Sequence, residues 1–337
     1  MRGNEPRLPA GIREPFLDNI THSLVGWALA ETGLKRRTRK GLAACILAAN
    51  MPDIDVLFGW AAWEPLATHR GFTHGLLGGV LLLPPLLAGL LCLLDHWQDR
   101  AGRISAAAPP LRFGWLLAMS YLGALTHPLL DLQNIYAVQL LSPFSARWFH
   151  TDGLFIVSPW LLAMLGGGIW MARRKASRGP APGPAPGPAI AALAASVLFI
   201  AVNIGISALA WQSPVTGAPY ANPDRVFASP EPLAFWRRDV IWRQDGAITF
   251  GAYDPFRRQT SLTGFGNPVP DTMTDPRAVK AAQASPEVHK FLVWSQMPMA
   301  RIAPYGLCSK VTFSDARFTG PILSRNFSVS TDVCKAE

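Results

Sequence analysis

The 337-residue chain is 50% hydrophobic and 16% charged, well below the charged fraction of about 25% that is usual in soluble proteins. This composition argues against a water-soluble globular protein and favours insertion into a lipid bilayer. The net charge of +9 would fit a nucleic-acid ligand, but much of the positive charge lies in short stretches between apolar runs, so no nucleic acid is expected as a partner.

Apolar runs of helical length dominate the first 212 residues. A run at 20–34 predicts one short helix, and runs near or above the roughly 18 residues that span a bilayer lie at about 41–60, 72–94, 114–141, 153–172 and 189–211. Residues 1–18 contain three prolines and no apolar core, so a cleavable signal peptide is not expected. Residues 1–212 are therefore predicted to form an all-α polytopic membrane domain of about five or six helices.

Lysine and arginine are concentrated between these runs. Twelve of the 31 lie in the stretches 35–40, 100–112 and 173–178, which the positive-inside rule assigns to the cytoplasm. The connections at 61–71 and 142–152 then face outward. The sequence thus predicts a multi-pass membrane protein whose last helix leaves the cytoplasm.

The composition changes near the end of the helical part. The Pro/Gly/Ala repeat at 178–189 is too rich in helix breakers to be helical and predicts a linker before the last helix. Residues 213–337 are polar and turn-rich, and they predict a small α+β or mostly β extracytoplasmic domain. The sequence assigns no role to this domain.

Short motifs predict individual elements of the C-terminal domain. The stretch "VIWRQDGAITFGAYDP" predicts two strands around an Asp245-Gly246 turn, and "PRAVKAAQA" at 276–284 predicts a helix. The stretches "KFLVWSQM" and "SKVTFSD" predict further strands. On the oxidising side of the membrane, Cys308 and Cys334 could form a disulfide, although two cysteines alone cannot show pairing.

Ionisable residues lie inside or beside the apolar runs, where each is costly unless it faces a cavity, a partner or a metal. Six of the seven histidines fall in the first 150 residues, in stretches such as "DNITH", "THRGFTH", "LTHPLLD" and "FHTDG". His127 and Asp131 are four apart and share a helix face. Asp53 and Asp55 follow a proline, which favours a turning segment, so the run at 41–60 is predicted to be a helix broken at this point.

The predicted topology brings these polar residues to one membrane face. The candidates are His22, Asp53, Asp55, His69, His74, His127, Asp131, His150 and Asp152. Imidazole and carboxylate together suit zinc or another first-row divalent ion, and more than four candidate ligands indicate two or three ions. For any one residue taken alone, a buried hydrogen bond or a solvated turn stays an open alternative.

The motifs "NITHSLVGWALAETG", "AANMPDIDVL", "HRGFTHGLLGG", "GALTHPLLDL" and "LLSPFSARWFHTDG" follow one another over residues 19 to about 160. In this order they resemble the YdjM-like family of bacterial inner-membrane proteins, described as membrane-bound metal-dependent hydrolases. That family is regarded as a distant relative of the phospholipase C and P1 nuclease superfamily, whose helical enzymes cleave phosphate esters with zinc clusters. The resemblance nominates as metal ligands His22, Asp53, Asp55, His69, His74, His127 and Asp131, with Asp152 weaker and His150 weaker still.

The resemblance implies a phospholipase C/P1 nuclease-like helical core that holds two or three zinc ions, with manganese as the alternative metal. The predicted function is cleavage of a phosphate ester, of lipid or another small phosphorylated molecule, by a metal-activated water. Asp53 or Asp55 would orient the nucleophile or take up its proton. Arg70 would neutralise an anionic substrate or the charge of the transition state, unless it is a side chain that snorkels to the interface.

Two alternative functions use the same polar residues. Intramembrane ionisable groups also mark transport paths for divalent metals or protons, although the chain shows no internal inverted repeat. A non-catalytic membrane scaffold with a structural metal is the other alternative. The familiar GxSxG, HExxH, Walker and GxGxxG motifs are absent from the sequence.

Overall fold

A computed structural model describes residues 15–57, 69–178, 184–216, 225–257, 263–264, 268–318 and 327–334. Within these residues a helical region comes first and two small β-sheets follow. The predicted order, with an α-helical part before a part that contains β-sheet, is confirmed.

Helices make up the N-terminal region. They are α1 (Pro15–Glu31), α2 (Gly41–Asn50), α3 (Leu83–Arg100), α4 (Phe113–Asp131), α5 (Pro159–Arg178) and α6 (Gly187–Thr216), with 3₁₀ turns at Leu34–Arg36, Met51–Leu57 and Phe72–His74 and a π-helix at Leu76–Leu82 that runs into α3. Among the described residues, three helical segments are long and apolar enough to cross a membrane, namely Leu76–Arg100, Phe113–Asp131 and Gly187–Ser213. The helical region therefore has the composition of a membrane protein.

In two of the apolar runs the α-helix ends before the run does. Helix α2 stops at Asn50 and continues as a 3₁₀ helix, so the run at 41–60 is broken where the sequence predicts a break. Its 10 residues span about 15 Å, half the hydrocarbon thickness of a bilayer. The run at 114–141 is α-helical only to Asp131. The Asn134 side chain then accepts a hydrogen bond from the Tyr136 N–H at 3.0 Å and forms a turn.

The predicted linker at 178–189 overlaps the start of α6. The helix begins at Gly187. Pro188 does not prevent this, because it lies in the first turn, where its missing N–H would have no helical partner. Residues 179–183 of the repeat lie outside the described residues.

Helix α2 packs tightly between α1 and α4. A Cβ atom at Gly26 of α1 or at Gly123 of α4 would lie 2.5 or 2.6 Å from the Cys45 carbonyl oxygen. Because glycine carries no Cβ, both helices can touch the backbone of α2. This packing fixes the end of α2, after which Asp53 and Asp55 follow.

In the described part of the C-terminal region there are two antiparallel sheets and two α-helices. The first sheet is built from β1 (Arg225–Pro230), β2 (Arg238–Gln244), β3 (Ala247–Tyr253), β4 (Thr263–Gly264) and β5 (Val269–Pro270), and the second from β6 (Pro298–Tyr305), β7 (Cys308–Asp315) and β8 (Ser328–Cys334), with helices α7 (Pro276–Ala284) and α8 (Pro286–Trp294) between them in sequence. The β2–β3 hairpin turns at Asp245 and Gly246, whose φ angles are 50° and 72°. Cys308 and Cys334 face each other across β7 and β8 and form a disulfide, the pairing that the sequence left open.

One predicted strand is wrong, because most of "KFLVWSQM" lies in helix α8. The Ser285 side chain caps this helix by accepting a hydrogen bond from the Val288 N–H. Val288, Phe291 and Trp294 then follow at a spacing of three residues and bury one helical face against the second sheet. An apolar run of this length fits a strand or a helix equally well, and the cap upstream decides for the helix.

Both sheets pack against the helical region. Ala210 of α6 lies in one buried cluster with Trp242 of β2, and Tyr136 lies in another with Phe318 and the second sheet. Arg317 Nη1 also donates a hydrogen bond of 2.7 Å to the carbonyl of residue 135. The C-terminal region therefore holds the turn that follows α4.

Candidate metal centre

Asp53 and Asp55 lie on the 3₁₀ helix that continues α2. A 3₁₀ helix has three residues per turn, so side chains two residues apart diverge by about 120° around its axis. Both residues are buried, with 8% and 6% of their surface exposed. This segment therefore delivers one carboxylate to each of two neighbouring positions.

His69, Arg70 and His74 come from the turn that precedes the π-helix. Arg70 has a φ of 65°, in the left-handed region that residues other than glycine rarely adopt. Its carbonyl accepts a hydrogen bond of 2.8 Å from the Gln139 N–H, which ties the turn to the segment after α4. All three side chains are buried. Short π-helical segments are rare and concentrate at functional sites, as this one does.

The last turn of α4 and the middle of α1 supply the remaining candidates. His127 Nε2 lies 3.4 Å from Asp131 Oδ2, as their spacing of four residues predicts. The His22 ring stacks on His127 with 3.8 Å between ring centroids, and its Nε2 lies 3.6 Å from Asp131 Oδ1. Four separate segments thus bring seven of the predicted ligands together.

Four of these side chains form a first group, whose ligand atoms all lie within 4.8 Å of one another: Asp53, His74, His127 and Asp131. His127 Nε2 is 3.0 Å from Asp53 Oδ1 and 3.0 Å from His74 Nε2. His74 Nε2 is in turn 3.2 Å from Asp131 Oδ2. Four converging nitrogen and oxygen atoms match the ligand number of a tetrahedral zinc site.

Asp55, His69 and His74 form a second group. His69 Nδ1 lies 2.6 Å from Asp55 Oδ1, and His74 Nδ1 lies 3.4 Å from Asp55 Oδ2. His74 therefore presents Nε2 to the first group and Nδ1 to the second. Because one imidazole belongs to both groups, the two candidate ion positions are neighbours.

The His127 ring is held in one orientation by the backbone. Its Nδ1 lies 2.6 Å from the Ala49 carbonyl oxygen, at the end of α2. A carbonyl can only accept, so Nδ1 donates to it, and Nε2 is the ring nitrogen directed toward Asp53 and His74. Such a bond to the other ring nitrogen commonly orients metal-ligating histidines.

Arg70 is buried beside the first group, with 4% of its surface exposed. Its Nη1 lies 2.5 Å from Asn134 Oδ1 and its Nη2 lies 3.2 Å from Asp131 Oδ1. The guanidinium carbon also lies 5.3 Å from the centre of the Tyr136 ring. Arg70 therefore does not snorkel to water, and that alternative is wrong.

The family model of the YdjM inner membrane protein matches residues 17–210. The chain belongs to this family. No curated protein and no solved structure is significantly similar to it. The matched range contains every residue of both ligand groups. The description of the family and the three apolar helical segments agree with the predicted location in the inner membrane.

Within the family match, the structure places Asp152 outside both ligand groups. Its Oδ2 accepts hydrogen bonds from Trp211 Nε1 at 3.0 Å and from the Ala228 N–H at 2.7 Å, and its Oδ1 lies 2.9 Å from His150 Nδ1. Burial by itself raises the pKa of the Asp152 carboxyl, but the histidine and these donors hold it below its ordinary value. Asp152 and His150 thus connect α6 to strand β1.

Three residues that the sequence did not single out contact the site. Asn134 and Tyr136 hold Arg70, and the Thr73 hydroxyl donates a hydrogen bond to Asp55 Oδ2. Neutral residues carry no charge signal in an apolar run. The polar Gln133-Asn134 pair, which interrupts the run at 114–141 shortly after Asp131, was the available signal for Asn134.

The residues present fit a divalent cation. Asp53, Asp55 and Asp131 are three buried carboxylates in one place, and buried like charges repel unless cations lie among them. Arg70 pairs with Asp131, whereas Asp53 and Asp55 face imidazole nitrogens. Carboxylate oxygens and imidazole nitrogens at these separations could hold a metal ion.

Proposed function

We propose that this member of the YdjM family is a membrane-embedded, metal-dependent hydrolase that cleaves a phosphate ester. The observation that carries the proposal is the pair of His/Asp groups that share His74, with Arg70 buried beside them. Neighbouring metal positions with an adjacent fixed cation suit displacement at phosphorus, where charge develops on several oxygens at once.

Two or three divalent ions, zinc or manganese, would be held by the two groups, with His22 at their edge. When bound, such ions polarise the phosphoryl group and make water nucleophilic at neutral pH. The protein keeps the ligands in place through the Ala49 carbonyl behind His127 and the Thr73 hydroxyl behind Asp55.

The remaining steps fall to side chains of the chain itself. Asp53 or Asp55 accepts the proton of the attacking water, because each ligand group contains one of these carboxylates. Arg70 neutralises the phosphate oxygens, since its planar guanidinium fits them and Asn134 fixes its position. The buried setting strengthens both interactions.

A substrate that enters from the bilayer fits the depth of the site. Helix α4 has 19 residues and is about 28 Å long, close to the hydrocarbon thickness of a bilayer. His127 and Asp131 lie at its end, so the site lies near one membrane surface. The proposed substrate is therefore a phospholipid or another phosphorylated amphiphile.

The proposed architecture is a five- or six-helix membrane domain with a phospholipase C/P1 nuclease-like core and a C-terminal domain outside the cytoplasm. The disulfide between Cys308 and Cys334 supports the outer location, because disulfides persist in oxidising compartments. Fusion of alkaline phosphatase to the C-terminus tests it. An inactive fusion that is expressed and membrane-bound places the domain in the cytoplasm.

The activity is tested with purified full-length protein, supplied with zinc or manganese and offered phosphomonoesters, phosphodiesters and phospholipids. Asp55→Ala and His127→Ala should abolish turnover while the protein stays folded. Asp99→Ala and His96→Ala are matched controls, since both residues are exposed on α3 and should leave turnover unchanged. Full turnover in the two site variants would falsify the hydrolase proposal.

The same preparation separates hydrolysis from the two alternatives. A transporter moves divalent metal into proteoliposomes, whereas the proposed enzyme retains two or three ions per chain and shows no flux. A scaffold holds one structural ion and cleaves nothing. Metal content per chain, measured by plasma mass spectrometry, is therefore the first measurement to make.

A further inference from the structure

A cavity of about 440 Å³ lies at the end of the helices opposite the candidate metal centre. It is lined by the segment before α2, the start of α2, the end of α3 and the loop after α3. The metal centre, in contrast, begins where α2 ends. Four cationic side chains line the cavity, namely Lys35, Arg39, Lys40 and Arg103. They belong to two of the basic stretches found in the sequence, which the proposed hydrolysis does not use.

Two of these cations are held in place by a buried carboxylate. Arg39 Nη2 lies 2.8 Å and Lys40 Nζ lies 3.8 Å from the carboxylate of Asp95, which is 2% exposed. Lys40 Nζ also donates a hydrogen bond of 2.5 Å to Gln98 Oε1. The Arg39 and Lys40 side chains are 22% and 17% exposed, so the wall of the cavity carries fixed cations and not freely moving surface lysines.

The balance of charge at the cavity is positive. Asp95 lines the cavity, and Glu31 forms an ion pair of 2.5 Å with Lys35. Two carboxylates against four cations leave an excess of two positive charges. A cavity of this size and charge suits an anionic group as large as a phosphate-bearing headgroup.

The surroundings of the cavity indicate that the anion belongs to a lipid. Trp97 is 53% exposed and lies under the Arg103 guanidinium at 4.6 Å, and Arg37 lies 5.1 Å from the ring of the partly exposed Trp115. Tryptophan beside arginine marks the headgroup level of a membrane protein. One turn earlier on α3, Leu93 is 67% exposed and provides an apolar surface for an acyl chain.

We propose that this cavity binds the headgroup of an anionic phospholipid, with the acyl chains along the exposed face of α3. Basic pockets between membrane helices bind such headgroups through their charge. Neither ligand group of the metal centre contributes to the cavity, so the proposal stands apart from the hydrolysis of a substrate.

The test uses full-length protein in an uncharged detergent, with short-chain phosphatidylglycerol, short-chain phosphatidylcholine and inorganic phosphate as probes. Lys40→Gln/Arg103→Gln should weaken phosphatidylglycerol binding by about twentyfold or more, since each cation near a membrane surface contributes about fivefold. The matched control Arg36→Gln/Arg100→Gln removes two exposed cations outside the cavity and should change the affinity by less than about twofold. Native mass spectrometry and titration measure both.

Equal loss of affinity in the two double variants would overturn the proposal, since charge anywhere on the surface would then suffice. Equal affinity of wild type for phosphatidylglycerol and phosphatidylcholine would also overturn it. Inorganic phosphate that binds as tightly as the lipid would assign the cavity to a soluble anion. If the double variant does not fold, Arg103→Gln alone serves, because Arg103 is an exposed loop residue and its loss should weaken binding by about fivefold.

Discussion

The candidate metal centre and the second sheet both bury aspartate beside arginine, but they satisfy the carboxylates differently. Asp315 accepts hydrogen bonds from the Arg317 N–H, Nε and Nη2 at 3.0, 2.9 and 2.8 Å, and from the Ser295 hydroxyl at 2.6 Å. These partners are all fixed donors. Asp53 instead faces imidazole nitrogens of His69, His74 and His127, which can donate a proton or present a lone pair.

This difference separates a structural carboxylate from a candidate ligand. Asp315 and Asp152 have N–H or O–H donors from several directions, so their charge is compensated by the fold alone. Asp53 and Asp55 share their space with histidines that converge on the same points. The aspartates of both regions are buried and carry the same charge. They differ in whether their partners are fixed hydrogen-bond donors or histidine nitrogens.

The largest expected effect is the loss of metal on changing a carboxylate of the first group. Asp53→Asn removes a charged ligand, and turnover should fall by at least about 10³-fold together with the bound metal. Asp152→Asn is the matched change in the other kind of site and should keep the metal content of the wild type. Metal content and turnover of both proteins check this. Equal metal loss in the two variants would contradict the distinction between structural carboxylates and candidate ligands.

Next in size is the cost of removing the Asp315 charge. Asp315→Asn leaves Arg317 buried without its counter-ion, so the free energy of unfolding should drop by about 3 to 5 kcal/mol. Asp275 makes the same contacts to Arg277, at 2.9, 3.0 and 2.8 Å, but at the surface. Asp275→Asn should therefore change stability little. Denaturant unfolding in detergent measures both variants, and similar losses would show that burial does not set the cost.

The same carboxylate predicts a dependence of stability on pH. Burial by itself raises the pKa of the Asp315 carboxyl, but Arg317 and the Ser295 hydroxyl hold it below its ordinary value. A depressed pKa stabilises the fold above the unfolded value of about 3.9, and this contribution is lost as pH falls through the folded pKa. As pH falls below about 5, unfolding temperatures should decrease less steeply in Asp315→Asn than in wild type. Parallel curves would contradict this assignment.

A smaller effect is expected from Arg70, which touches the site without being a ligand. Arg70→Gln should lower turnover by about 10²-fold, because one fixed donor to the developing charge is lost. The metal content should stay that of the wild type. Arg70→Lys should recover part of the activity, since it restores the charge without the planar fork. A loss of metal in Arg70→Gln would make the residue part of the ligand framework instead.

The sequence predicted the candidate ligands, which the structure brings together, better than the residues that hold them in place. His and Asp are visible in an apolar run because burial makes them costly. Nine candidates were chosen on that basis, and the seven that the family resemblance nominated are the ones that converge. Asn134 and Tyr136 were missed because a neutral amide and an aromatic ring carry no such cost. Asp152 was grouped with the ligands because its donors, Trp211 and the Ala228 N–H, come from a distant part of the chain.

The fold shows the same division between local and distant information. The Asp245-Gly246 hairpin was predictable because two residues decide its turn. Helix α8 was taken for a strand because its apolar stretch was read without the Ser285 cap upstream. The packing of the sheets on α6 and on the turn after α4 was not predictable, because it depends on contacts between residues far apart in sequence.

The smallest expected effect concerns Tyr136, which connects the two regions compared above. Its ring lies under Arg70 on one side and 4.7 Å from the Phe318 ring of the second sheet on the other. Tyr136→Leu removes the cation–π contact and should lower turnover by about threefold to tenfold, with metal content unchanged. Tyr136→Phe is the control, since it keeps the ring and should keep the activity. Equal turnover in the two variants would show that the second sheet supports the turn after α4 without influencing Arg70.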